Sequence, residues 1–214
     1  MNIILNLEIV NMSFLKRYFS WRKEPRVNIQ YGRLIDPVFI FYCQNNPELK
    51  KKGWSEWKPP EKEELEKRIN AYKNEWKKYT ITKDISNCLN LSFNRDVIDV
   101  YIVSGISRAS SNPIIIKSGF TPKEFVATLA HELIHVILTN NRIKRIKFDE
   151  KESDTTNNHV IVFSVLKKIL DTDLWDITTR RTSDHSTNEY SEALTLMEKI
   201  GPDNVIKKMT GQSD

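Results

Sequence analysis

The sequence predicts an α+β domain, and three features carry that prediction. Two short runs rich in β-branched residues, VIDVYIV at 97–103 and PIIIK at 113–117, read as strands. A long apolar segment, TPKEFVATLAHELIHVILTN from Thr121, opens with a full set of helix-entry signals. Beyond it the chain continues with segments of helical period. A small sheet packed on one central helix, with further C-terminal helices, is the expected arrangement.

The chain's 214 residues suffice for one well-buried domain. Its 33 basic and 28 acidic residues are interspersed, so the formal net charge of +5 is a mild bias toward acidic partners rather than a nucleic-acid signature. The tightest basic run, Arg142, Lys144, Arg145 and Lys147, directly follows the central helix. A solvated loop is its plainer reading, and a surface for nucleic acid or an acidic peptide is the competing one. Cys43 and Cys88 fit neither a disulfide framework nor a paired-cysteine metal site, which points to a reducing, cytoplasmic setting. No run approaches the roughly 18 apolar residues of a spanning helix, so no membrane segment is expected. The opening stretch carries Glu8 among its apolar residues and its basic residues after them, the wrong layout for a signal peptide.

Residues 1–58 mix aromatic and basic side chains without a clean period and end in KKKGWSEWKPP, a turn or short linker. A boundary near Pro59 and Pro60 is expected, separating this N-terminal segment from a domain over 59–214. The segment has three possible roles: covering a cleft, completing the sheet or binding a partner. Next, EKEELEKRINAYKNEWKKY places Leu65, Ile69, Tyr72, Trp76 and Tyr79 on one stripe, with acids in the first turn and lysines in the last. Core packing is the better account of Tyr72 and Trp76, and stacking on a cofactor or nucleic acid the weaker one. SGISRASSN, between the two strand runs, is turn-like.

The central helix starts at Thr121 as N-cap, with Pro122 first in the helix and Glu124 completing a capping box. Phe120 and Phe125 are placed to form a hydrophobic staple, and the Asn140–Asn141 pair suits the helix end. The polar loop RIKRIKFDEKESDTTNN follows, then HVIVFSVLKKIL, read as an apolar helix opened by Asp, Thr or Asn caps with His159 as its first residue. STNEYSEALTLMEKIG is a capped helix that stops at Gly201 and Pro202, with the short amphipathic piece NVIKKM after it.

Within the central helix lies His131-Glu132-x-x-His135. Residues four apart share a helix face, so the two imidazoles can converge on one ion while Glu132 sits about 100° around the axis. Zinc suits neutral imidazole nitrogen, and a catalytic zinc takes three protein ligands plus water. A second-shell carboxylate can take the proton of that acidified water and deliver it to a leaving amine, the role for which Glu132 is placed. With four histidines and sixteen glutamates, random placement yields this pattern in roughly one chain in two hundred. The surrounding Leu129, Ala130, Leu133, Ile134, Val136 and Ile137 mark a buried helix, where unpartnered histidines and a glutamate would cost several kcal/mol.

In these residues the sequence resembles the zincins, the HExxH zinc metallopeptidases, and its spacing is most similar to SprT-like (Spartan-type) proteases. The resemblance rests on PIIIKSGF, then TPKEFVATLAHELIHVIL, then a polar loop, then His159 with Phe163 four positions on, and it covers residues 113–170. The chain departs from that group's pattern at Val160, where glycine is usual. The resemblance implies a zincin-like fold, a Zn2+ cofactor, a protein or peptide substrate and Glu132 as general base. Binding of the substrate backbone along an edge strand is implied too, and PIIIK with Ser110 and Ser111 is the segment available for it.

The third ligand must come from outside the motif. His159 is the first choice, since it opens an apolar helix beyond a loop long enough to reverse direction; a solvent-exposed histidine near a helix start is the alternative. Zincins of the gluzincin type use a glutamate on a later helix, so Glu150, Glu152, Asp154, Glu189 and Glu192 compete, although surface charge is the plainer reading of each. His185, in a polar loop, is a weaker candidate. Tyr190 is either a donor to the developing oxyanion or a packing residue beside Ala193, Leu194 and Leu196. A non-proteolytic binding module for nucleic acid or a protein partner, built on the same scaffold, is the alternative function.

Overall fold

The structure, a computed structural model, describes residues 24–51, 57–105, 108–143, 146–183 and 188–211. Among them nine helices and a four-stranded mixed sheet form the α+β fold expected. Strands β1 (Arg26–Tyr31), β2 (Val97–Val103), β3 (Ser110–Ser111) and β4 (Ile114–Lys117) lie in the order β1-β2-β4-β3. The first two pair in parallel, as do β2 and β4, whereas β3 runs antiparallel to β4. Alternation along β2 sends Ile98, Val100 and Ile102 into the core, each no more than 1% exposed.

Strand β1 pairs with β2 from Arg26 opposite Val97 to Tyr31 opposite Ile102, so residues 26–31 complete the sheet. The boundary expected at Pro59 and Pro60 therefore falls inside a crossover between two paired strands. Parallel neighbours need a long connection. Residues 32–96 provide it, through helices α1 (Asp36–Asn45), α2 (Pro47–Lys51), α3 (Lys62–Trp76) and α4 (Ile81–Leu89). Asp36, fully buried, ties the start of that crossover to the end of β2: its carboxylate accepts from Ser104 N at 2.6 Å, Ser104 Oγ at 2.7 Å and Tyr31 Oη at 2.8 Å.

Within the segment expected to offer the substrate edge, Ser110 and Ser111 with PIIIK, the PIIIK strand is itself flanked on both sides. Ser110 sits opposite Ile115 and Ser111 opposite Ile114, so β3 forms the outer strand and only Ile116 and Lys117 extend beyond it. The turn-like stretch between the runs supplies this strand because its serines fit a pleat as readily as a turn when a partner strand is beside them.

Helix α5 (Pro122–Asn140) crosses the sheet's core face and packs also against α3, α4, α6 (Asp154–Ile169) and α7 (Thr172–Ser183). Its capping box is formed: Thr121 Oγ1 accepts from Glu124 N, and Glu124 Oε2 accepts from Thr121 N at 2.8 Å. Phe125 stacks on Tyr72 with ring centroids 4.4 Å apart. Tyr72 is a core residue, as expected, and its hydroxyl lies 2.6 Å from the Ser118 carbonyl oxygen, pinning the chain that leads into α5. Helices α8 (Glu189–Ile200) and α9 (Pro202–Thr210) close the core over α6. No helix among the described residues is long and apolar enough to cross a membrane, and no disulfide joins Cys43 and Cys88.

Candidate metal centre

Histidines 131 and 135 come from the middle of α5, one turn apart, and His159 from the second turn of α6. Helix α6 starts five residues before His159, which corrects the expectation that His159 is its first residue. Ser153 is the cap: its hydroxyl accepts from Thr156 N at 3.0 Å. The expected cap residue Asn157 does a different job. Its buried side-chain oxygen accepts from Phe148 N at 2.7 Å and Asp149 N at 3.1 Å, while its amide donates to the carbonyls of Asp149, Glu152 and Ser153. The incoming loop is thus bound to the turn that carries His159.

The possible ligand atoms of His131, His135 and His159 all lie within 4.8 Å of one another, close enough to bind a metal ion. The Nε2 atoms of His131 and His135 are 3.2 Å apart. Two nitrogens on a tetrahedral zinc at about 2.0–2.1 Å would be about 3.3 Å apart, so this pair has the spacing that a shared ion requires. His159 Nδ1 lies 2.8 Å from the Thr155 carbonyl oxygen. A carbonyl can only accept, so Nδ1 carries the proton and Nε2 the lone pair. That is the usual arrangement of a metal-binding histidine oriented by backbone.

Burial, aided by neighbouring His159, pushes His135 down to about 4 and keeps the imidazole neutral, as ligation demands. Burial pushes Glu132 up to about 7. This carboxyl is 7% exposed, lines a cleft beside His131, and makes no hydrogen bond or ion pair among the described residues. A desolvated acid facing a cleft next to three converging imidazoles costs the fold stability, and such placements are enriched at functional sites.

The competing carboxylates stand elsewhere. Among the described residues the histidine trio is the only cluster with metal-ligand spacing, and no carboxylate belongs to it. Glu150 pairs with Lys147 at 3.1 Å on the surface. Glu189 accepts from Ser153 Oγ at 2.7 Å and Glu192 from Thr156 Oγ1 at 3.4 Å, both bracing the start of α6. Glu152 and Glu192 line a second cleft together with Asp149, and Asp154 occupies the first turn of α6. His185, Lys144 and Arg145 lie outside the described residues.

Tyr190 belongs to the site. Its ring centroid is 4.2 Å from that of His159 and 6.2 Å from that of His131, and its side chain lines the same cleft as Glu132. Burial and the nearby Glu132 push its hydroxyl's pKa up, which holds it in the donor form. Phe163, one turn beyond His159, packs edge-on to His131 at 6.2 Å and walls the apolar side.

Sequence reasoning missed the cations of this cleft. Arg108, Lys117 and Arg181 line it with His131 and Glu132. They come from the segment before β3, from β4 and from α7, and no short motif joins them. No protein-family model, curated protein or solved structure matches the chain.

Proposed function

We propose that the protein is a zinc-dependent metallopeptidase of zincin-like fold that hydrolyses protein or peptide substrates. The observation that carries this reading is the convergence of His131, His135 and His159 beside buried Glu132 in one cleft. The three imidazoles would hold the ion, and three neutral nitrogens match the donor set of catalytic zinc sites that keep a position for water. When bound, zinc supplies Lewis acidity that brings the pKa of water to about 7 and polarises a carbonyl oxygen.

The chain's own residues do the rest. Glu132 is the general base: with its pKa lifted toward neutrality it can take a proton from water and return it to the leaving amine nitrogen. Tyr190 is the donor that meets negative charge as it develops on the carbonyl oxygen. The Thr155 carbonyl orients His159, and Phe163 keeps water from the ligand shell on one side. Unbridged Cys43 and Cys88 fit the reducing cytoplasm as its setting.

The test is to purify the protein without chelators, measure zinc per chain, and compare cleavage of an unfolded generic protein by wild type and Glu132→Gln. Zinc near one per chain in both, with cleavage only by wild type, supports the assignment. Zinc absent from both would sink it.

A further inference from the structure

We infer that the cleft beside Glu132 is a subsite for a carboxylate of the peptide substrate, gripped by Arg181 and Lys117 with exposed Arg108 at its rim. The inference rests on the peptidase reading for its substrate class and on the cleft's own geometry for its chemistry. The cleft has a volume of about 290 Å³. That is at the small end of ligand pockets and suits one side chain or a chain terminus, not a nucleic-acid strand.

Its charge is one-sided. Three cations line it, and Glu132 is the only acid among its described lining residues. None of Arg108, Lys117 and Arg181 forms an ion pair among the described residues. Arg181 Cζ lies 4.1 Å and Lys117 Nζ 4.7 Å from the centroid of the same Phe120 ring, so two partly buried cations share one aromatic ring. Burial pushes both groups' pKa values down, for Lys117 the charge of Arg181 adds to the effect, and nearby Glu124, which forms no ion pair with either among the described residues, offsets only part of it. Holding like charges together out of water is unfavourable, and an anion between them offsets it.

The guanidinium is held ready. Arg181 Nη1 donates to the Thr128 hydroxyl and, at 3.4 Å, to the Glu124 carbonyl. Its other nitrogens have no protein acceptor among the described residues, which leaves donors for the paired oxygens of a carboxylate. Thr128 and Glu132 are four apart on α5, about 6 Å along the helix axis. An extended peptide covers that distance in about two residues. The bound carboxylate therefore sits within one or two residues of the bond attacked beside Glu132. It is either an Asp or Glu side chain near that bond or the substrate's C-terminal carboxylate.

The experiment has two arms. In the first, zinc-loaded wild type is given a generic peptide in which one Glu is moved position by position, each against its Gln counterpart and each with a free or amidated C terminus. The expected result is a Glu/Gln or acid/amide ratio in kcat/KM of about 10-fold or more, carried by KM. A Glu/Gln effect identifies the side chain, and an acid/amide effect the terminus. Arg181→Gln and Lys117→Gln each bring the ratio toward one, and Arg181→Lys keeps part of it.

In the second arm, acetyl-Ala-Glu-amide, acetyl-Ala-Ala acid and their uncharged counterparts are titrated into metal-free protein. Saturable, salt-sensitive binding of an acid alone, weakened in the Arg181 and Lys117 variants, is expected. Cleavage with ratios of one, together with equal binding of acids and amides, overturns the subsite and leaves the peptidase reading intact. Failure of zinc-loaded wild type to cleave any peptide counts against the peptidase reading, and the titration still decides the subsite. Displacement of the peptide acids by a short single-stranded oligonucleotide at lower concentration overturns it in favour of phosphate.

Discussion

His159 Nδ1 lies 2.8 Å from the carbonyl oxygen of Thr155, one turn earlier in the same helix. That bond sets the tautomer of the histidine and leaves Nε2 as the electron-pair donor. It is formed inside a single helix, so the orientation of this imidazole does not depend on an ion.

Metal removal should therefore destabilise the protein without unfolding it. At free zinc 100 times its dissociation constant, binding stabilises the folded state by about 2.7 kcal/mol. For a chain of this size that corresponds to a melting temperature higher by about 5–10 °C. The expected outcome is a drop of that order on dialysis against a chelator, restored by zinc and absent in His135→Ala and His159→Ala. Differential scanning fluorimetry with and without chelator checks it.

Tyr190→Phe should retain zinc and lose turnover. Removing a donor to a developing oxyanion costs about 10²-fold or more in kcat, with KM little changed. If Tyr190 only packs against His159 and Phe163, the Phe variant will cleave at the wild-type rate. Steady-state kinetics on one unfolded substrate, with zinc content measured in parallel, separates the two.

Asn157→Ala tests whether the loop before α6 positions the third histidine. The side chain satisfies two backbone N–H groups and three carbonyls. Its loss should cost about 1–3 kcal/mol in urea unfolding. It should also weaken zinc binding, measured by competition with a chromophoric chelator, because it frees the turn holding His159. Unchanged zinc affinity in the destabilised variant would separate loop anchoring from the site.

Glu124 gives an acid dependence with a defined sign. Burial pushes its carboxyl up, but hydrogen bonds from the Thr121 N–H and hydroxyl, with the charges of Arg181 and Arg180, outweigh that and leave it below its ordinary 4.5. A lowered carboxyl pKa contributes stability above the unfolded value that is lost as pH falls through the folded one. Wild type should therefore lose stability faster than Glu124→Gln as pH drops below about 4.5. Urea midpoints measured for both across that range check it. Thr121→Ala, which removes the cap itself, should cost about 0.5–2 kcal/mol at neutral pH.

Much of α5 was legible because its signals are local. The cap, the first-turn proline and the apolar surroundings are all read from neighbours in the chain, and His131, Glu132 and His135 follow from helical spacing. The start of α6 is ambiguous in the sequence because all six residues from Ser153 to Asn158 are cap formers, and packing of the loop against Asn157 selects Ser153 among them. Strand β1 was not read as a strand, since its partner β2 begins 66 residues after its own end. Helix α4 carried a usable signal, Ile81, Ile85 and Leu89 at spacing four and all buried, but it is only nine residues long. Helix α7 mixes threonine, aspartate and arginine without a clear apolar stripe, so Arg181 had no visible address.

The HExxH geometry needed no tertiary information, because a helix puts residues four apart on one face whatever surrounds it. The packing of α6 on α5 brought His159 to that face, the sheet order put Ser110 and Ser111 outside PIIIK, and α7 carried Arg181 to the cleft beside Glu132. The first and third depend on contacts between segments far apart in the chain, which minimise exposed apolar surface over the whole domain; the second is a tight hairpin, Ser111 opposite Ile114, whose place at the sheet edge is set by β2 pairing on the other side of β4. Local spacing sets two imidazoles and a carboxylate on one helix; only that global burial decides what else stands around them.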